Sequence, residues 1–186
     1  SIHDVVRFNK AGEILSARIF ERRTPYGLKF FLFKNNQGYD EQGNVFGTFG
    51  CHENYYLYGL GHDDAQDLKP IIPFLITRQI FDGAGSWNKN SGWCLSQRAQ
   101  GIDREFGHGS TTGARPIIQT KLGDTGSTPR MHVILGDANI LEFAIYLKMG
   151  TCALMLALLE AGRYPNTVCV NSIDALKLIA ITADPY

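Results

Sequence analysis

At 186 residues the chain is long enough for one domain with a real core and too short for a second full one. Its 18 basic and 18 acidic residues cancel, which removes the charge footprint of a nucleic-acid binder or of a protein drawn to anionic membranes. A hydrophobic content of 44% and a charged content of 19% are those of an ordinary globular protein. The four cysteines, Cys51, Cys94, Cys152 and Cys169, stand far apart with no CxxC pair. That spacing excludes a zinc ribbon or a small disulfide scaffold and points to reduced thiols in a cytoplasmic protein. No run approaches the roughly 18 uninterrupted apolar residues of a membrane span, and no signal peptide opens the chain. Both ends look cut, so the expectation is one domain over residues 1–186 that is a piece of something longer.

In chain order, residues 14–20 read as a strand or short helix, followed by a turn at Thr24-Pro25-Tyr26-Gly27. Residues 28–34, with Phe30, Phe31 and Phe33, give a strong strand signal. Turn chemistry covers residues 35–44, and a strand around His52 runs to about Leu57. Residues 64–81 read as helix, delimited or kinked by Pro70 and Pro73 and stopped at Gly83-Ala84-Gly85. A loop over 86–92 leads to a strand over 93–98; a glycine-rich loop at 107–113 leads to a strand over 115–121. A turn-rich stretch at 123–129 precedes the strand of His132. The clearest helix opens with Asn139 as cap and Glu142 three residues on, with an apolar stripe through Ile140, Phe143, Leu147, Leu154 and Leu158 and a stop at Gly162. Residues 173–181 read as a last helix. The sum is an α+β domain of mostly antiparallel strands backed by about three helices.

Two strands carry the chemistry. Alternation places His52, Asn54 and Tyr56 on one face of the first, and Arg130, His132 and Ile134 on one face of the second. If the two strands meet, the imidazoles suit a divalent metal or a phosphate; otherwise they are ordinary histidines satisfied by hydrogen bonds. Arg78, Arg98, Arg115 and Arg130 form a second group, because a buried guanidinium demands a carboxylate or phosphate partner. Both an anionic ligand and structural ion pairs satisfy that demand. The loop 107–113 lacks the GxxxxGKS/T pattern, and Tyr56 stands where HExxH needs its second histidine.

The ordered motifs Phe33-Lys34-Asn35-Asn36, Gly50-Cys51-His52-Glu53-Asn54-Tyr55, Pro73-Phe74-Leu75-Ile76-Thr77-Arg78-Gln79, Leu95-Ser96-Gln97-Arg98-Ala99, Arg115-Pro116-Ile117-Ile118, His132-Val133-Ile134 and Gly136-Asp137-Ala138-Asn139 together resemble the Pup ligase and Pup deamidase (depupylase) family. That family is related to glutamine synthetase and the carboxylate–amine ligases. The resemblance implies a mostly antiparallel glutamine-synthetase-like sheet cradle backed by helices, holding ATP and Mg²⁺. It implies a ligase that phosphorylates the C-terminal glutamate of the small modifier Pup before a substrate lysine attacks, or a sibling that hydrolyses the corresponding amide or isopeptide bond. By motif position His52 and His132 would contact metal or nucleotide, Asn54 would lie beside them, and Arg98, Arg115, Lys121 and Arg130 would face phosphate or the glutamyl carboxylate. The partners implied are a Pup-like modifier and lysine-bearing protein substrates, with neither nucleic acid nor membrane.

The departures from the family are specific. The upstream strand of Mg²⁺-binding glutamates and the catalytic aspartate have no counterpart, so no catalytic residue is identified in this chain and a complementary N-terminal segment or chain is expected. Lys121 stands where arginine is usual, which keeps charge but loses the bidentate fork. Glu53 and Asp137 are the only acids near the motifs. A ligase is the first expectation, a depupylase the second, and a non-catalytic nucleotide-binding remnant the third.

Overall fold

The computed structural model describes the chain apart from residues 26–27, 30, 35–36, 60–64, 90–91, 108–114, 121–129, 166, 168 and 182–186, and the side chains of residues 45, 46 and 88. It opens with a 22-residue helix, α1 (Ile2–Arg23), where only a short element was expected at residues 14–20. A capping box starts it: the Ser1 hydroxyl accepts from the Asp4 N–H while the Asp4 carboxylate accepts back from Ser1. Arg22 and Arg23 lie in its last turn, where the helix dipole favours positive charge. The β-branched Val5, Val6, Ile14 and Ile19 obscure this helix in the sequence, but their helix penalty is modest, and α1 lies along α5 (Glu142–Glu160) without fully burying any of its residues.

Residues 28–34 are the largest departure from expectation, since none of those described is in a strand. Phe31 and Phe33 lie 75% and 78% exposed, so their apolar side chains find no core. Composition favours extended backbone there, but a strand exists only through its hydrogen-bonded neighbour, and no described strand pairs with this segment. Two short hairpins flank the main sheet: β1 (Gln37–Tyr39) with β2 (Val45–Thr48), and β4 (Ser86–Asn88) with β5 (Gly92–Cys94). The second forms where a loop was expected, and β5 ends at Cys94, so Ser96 and Arg98 lie in a turn rather than on a strand face.

The central sheet has the order β3-β8-β7-β6, with β3 (Glu53–Tyr56), β8 (Arg130–Val133), β7 (Pro116–Gln119) and β6 (Arg104–Gly107). β8 runs antiparallel to both neighbours, whereas β6 and β7 pair in parallel. The α+β class therefore holds, with one parallel edge pair that the sequence did not reveal. Behind the sheet lie α2 (Ala65–Leu68), α3 (Ile72–Thr77), α4 (Gln79–Asp82), α5 and α6 (Ser172–Ile181). The expected helix over 64–81 is broken into these short pieces, with a 3-10 turn at Lys69–Ile71 carrying Pro70. Ile72, Leu75 and Ile76 from α3, Met131 and Val133 from β8, Cys152 and Leu156 from α5, and Leu176 from α6 form one core.

Helix α5 buries a different stripe from the one expected. Ile145, Lys148, Cys152 and Leu156 face inward, while Phe143 and Leu154 are 73% and 67% exposed. The helix is apolar nearly all round, so periodicity could not choose its inner face. Nor does Asn139 cap it: Leu141 is the N-cap, and the Asn139 amide instead donates to the Asp82 carbonyl at 2.7 Å. With 19 residues and a mean hydropathy of 1.6, α5 is long and apolar enough to cross a membrane by length and composition, contrary to the sequence reading. Here it docks on α1 and the core.

Candidate functional site

β3 and β8 do meet, and their register sets Asn54 opposite His132 and Tyr56 opposite Arg130. Glu53 and Tyr55 turn into the core while Asn54 and Tyr56 face outward, as strand alternation requires. Arg130 Nη1 donates to Asn54 Oδ1 at 2.8 Å. His52 sits just before β3, and its ring folds back over Gly50, where a Cβ would fall 2.2 Å from His52 Nε2. Glycine at position 50 is therefore what lets the imidazole reach its partner. His52 Nδ1 and His132 Nε2 lie 3.0 Å apart, with the rings edge to face. One nitrogen must donate and the other accept, so the pair holds a proton between two bases. Burial, and then the charge of Arg98, holds the His52 imidazole below its ordinary range, which favours the neutral ring.

Arg98 reaches this face from a turn built around Asp137. The buried Asp137 carboxylate accepts from the backbone N–H groups of Ala84, Gln97 and Arg98 at 2.9, 2.9 and 3.0 Å and from the Ser96 hydroxyl at 3.0 Å. Burial raises the Asp137 pKa in spite of these four donors. From the other side the buried Lys148 ammonium donates to the Asp137 carbonyl at 2.6 Å. So anchored, Arg98 donates through Nε to Ile134 O at 3.1 Å and through Nη1 to the Thr48 hydroxyl at 2.7 Å. Arg115, immediately before β7, donates to that same hydroxyl at 2.6 Å. Burial and then the neighbouring Arg115 lower the Arg98 pKa to about 10. Among the described residues neither guanidinium forms an ion pair with a carboxylate. Two such charges about 5 Å apart repel by on the order of 3 kcal/mol at an effective dielectric of about 20. An anion bound between them would relieve that repulsion.

The structure thus brings His52 to His132 and Asn54 to Arg130 across β3 and β8, and Arg98 to Arg115 at Thr48, with Arg98 near enough to act electrostatically on His52. Lys121 lies outside the described residues. Arg78 does not belong with them. It is fully buried in the core, forked onto Glu53 with 2.9 and 2.6 Å contacts, and its Nε lies 3.2 Å from Asp82. Burial opposes the charged form of Glu53, but Arg78 outweighs it and holds the carboxyl below its ordinary value. Tyr55 adds a hydrogen bond to Glu53 at 2.5 Å. The sequence offered no way to separate this structural arginine from the other three. It also did not single out Thr48, because a threonine in a glycine-rich stretch carries no motif of its own, and it gave Lys148 no role at the site.

The oxygen chemistry that Mg²⁺ demands is missing from the described residues of this face. No group of three His, Cys, Asp or Glu side chains forms among them. Glu53 is committed to Arg78 and Asp137 to the turn of Arg98, which leaves two imidazoles in mutual contact. Mg²⁺ favours an octahedron of oxygens, so these residues do not fit it as a site of their own.

Comparison with known proteins identifies the family and the fold. A family model described as Pup-ligase protein matches residues 1–185. A depupylase of Acidothermus cellulolyticus is 40% identical over 193 residues, covering 98% of this chain and 37% of that protein. The structure of the Pup ligase PafA in complex with ADP superposes with a TM-score of 0.76 at 32% identity, covering 98% of this chain and 42% of that one. The complex between Pup and PafA gives a TM-score of 0.75 at 34% identity, covering 97% of this chain and 37% of that one. The chain therefore spans about two fifths of the length of these relatives.

Proposed function

This chain belongs to the Pup-ligase family, and from that premise we propose that it forms the phosphate- and carboxylate-holding face of an ATP-dependent Pup ligase. The observation that carries this reading is the pair of guanidiniums, Arg98 and Arg115, brought to one oxygen with no carboxylate paired to either among the described residues. In a ligase of this kind the γ-phosphoryl of ATP passes to the C-terminal glutamate carboxylate of Pup, giving an acyl phosphate and ADP. A substrate lysine then attacks the acyl carbon, an isopeptide bond forms and phosphate leaves. Charge grows on oxygen in both steps, and fixed cations that need not reorganise are the means of stabilising it. Arg98 and Arg115 are assigned to the phosphate chain, while Arg130, oriented by Asn54, is assigned to the glutamyl carboxylate. The His52–His132 pair, joined by a hydrogen bond, is assigned a place beside them. No catalytic base is assigned within this chain, and a cytoplasmic location is part of the same proposal.

The depupylase similarity at 40% identity supports a second reading, hydrolysis of the same bond with nucleotide as a bound cofactor. One experiment separates the two. The intact protein is incubated with ATP, Mg²⁺ and Pup ending in Glu or Gln. ADP release with conjugate formation from the Glu form identifies the ligase, and Gln-to-Glu conversion identifies the depupylase. Nucleotide binding without either reaction identifies a non-catalytic module. Absence of nucleotide binding by calorimetry defeats both enzyme readings.

A further inference from the structure

Thr48 ends β2, on a hairpin separate from the four-stranded sheet, yet its hydroxyl is where two arginines from distant parts of the chain converge. Arg98 is the residue before the 3-10 turn Ala99–Gly101, and Arg115 directly precedes β7. Thr48 Oγ1 accepts from Arg98 Nη1 at 2.7 Å and from Arg115 Nη1 at 2.6 Å, so the two nitrogens lie within about 5.3 Å of each other. The Thr48 carbonyl accepts from Arg98 Nη1 as well, at 3.1 Å. Gly101 closes on the same cluster, since a Cβ there would meet Thr48 Oγ1 at 3.0 Å and Arg115 Nη1 at 3.1 Å. The cluster is thus built from three separate parts of the chain and leaves little slack.

The chemistry of the shared acceptor matters. A carboxylate at position 48 would take the same hydrogen bonds and neutralise the arginines, leaving little attraction for a ligand. A hydroxyl has two lone pairs and no charge, so it fixes both donors and leaves their charge available. We infer that Thr48 is a positioning residue that holds Arg98 and Arg115 at one point without discharging them, so that together they receive the phosphate chain of a nucleotide. This rests on the anion-binding reading above and adds to it the residue that sets the geometry of the anion site.

The test is calorimetric titration of the intact protein with ADP and with inorganic pyrophosphate, alongside thermal melting. Thr48→Val keeps the shape and removes the acceptor, and is expected to weaken both probes by about tenfold, the scale of a hydrogen bond to a charged group. Thr48→Ser restores the acceptor and is expected to bind within about twofold of the wild type. Thr48→Asp is expected to raise the melting temperature, by neutralising the arginine pair, while abolishing pyrophosphate binding. That opposition between stability and binding is something a purely structural threonine would not produce. Wild-type affinity in Thr48→Val, a Thr48→Ser as weak as the valine, or a Thr48→Asp that binds pyrophosphate or loses stability together with binding overturns the inference. If the wild type binds neither probe, the nucleotide reading fails and takes this inference with it. If the wild type binds and Thr48→Val binds equally well, only the role of Thr48 fails.

Discussion

Asp82 offers the sharpest physical test of this structure. Its side chain is fully buried, and neither carboxylate oxygen receives a hydrogen bond, although Arg78 Nε lies 3.2 Å away as a charge. Burial raises its pKa from 3.8 to about 6; Arg78 and Lys148 pull it down, and the negative charges of Glu53 and Asp137 push it up further. A carboxyl raised in the fold is bound more tightly to its proton there than in the unfolded chain. Its contribution to stability is therefore fully present below pH 4 and is lost as pH rises through about 6. At about 1.4 kcal/mol per pH unit, the ionised group costs the native state about 3 kcal/mol at pH 7.5. Asp82→Asn removes that cost, because a neutral amide of the same shape resembles the protonated acid. The assay is urea denaturation of the intact protein and the variant from pH 7.5 to 4. The variant is expected to be more stable by about 3 kcal/mol at pH 7.5, with the advantage vanishing towards pH 4. The difference between the curves is the informative quantity. His52, lowered in the fold, and Glu53, also lowered, lose stability as pH falls and so oppose Asp82 in the wild-type profile. A pH-independent difference, or a variant less stable than the wild type at pH 7.5, would refute the reasoning and make Asp82 a net stabilising partner of Arg78.

Three further outcomes are expected. Arg78→Met strands Glu53 as an unpaired buried charge and is expected to cost about 3–5 kcal/mol in thermal or urea unfolding, while adding Glu53→Gln recovers most of the loss; equal losses in the single and double variants would contradict this. Gly50→Ala places a methyl on the His52 ring and is expected to separate the two imidazoles with little change in melting temperature, read as altered imidazole resonances in NMR and weaker ADP binding; unchanged resonances would show that the ring adapts. His132→Ala is expected to weaken ADP binding several-fold, whereas His3→Ala, on α1 against Tyr146, leaves it unchanged; equal effects would defeat the site assignment.

Local pattern already specified much of this protein. Strand alternation placed Asn54 and Tyr56 on one side of β3, and Arg130 and His132 on one side of β8, because side-chain direction along a strand depends only on position. The helix stop at Gly162, the final helix near residues 173–181 and the family itself were likewise legible. What tertiary structure decided was everything that depends on a partner distant in sequence. Residues 28–34 look like a strand but have no described neighbour to pair with. Helix α5 is too uniformly apolar to announce its inner face, which is chosen by α1 and the sheet. Asn139 has the credentials of a cap and spends its amide on Asp82 instead. Four arginines of similar appearance divide into one paired in the core with Glu53 and Asp82, two that share the Thr48 hydroxyl, of which Arg98 is itself buried, and one held at the surface by Asn54. Charge pairing is a matter of distance in space, and sequence records only distance along the chain.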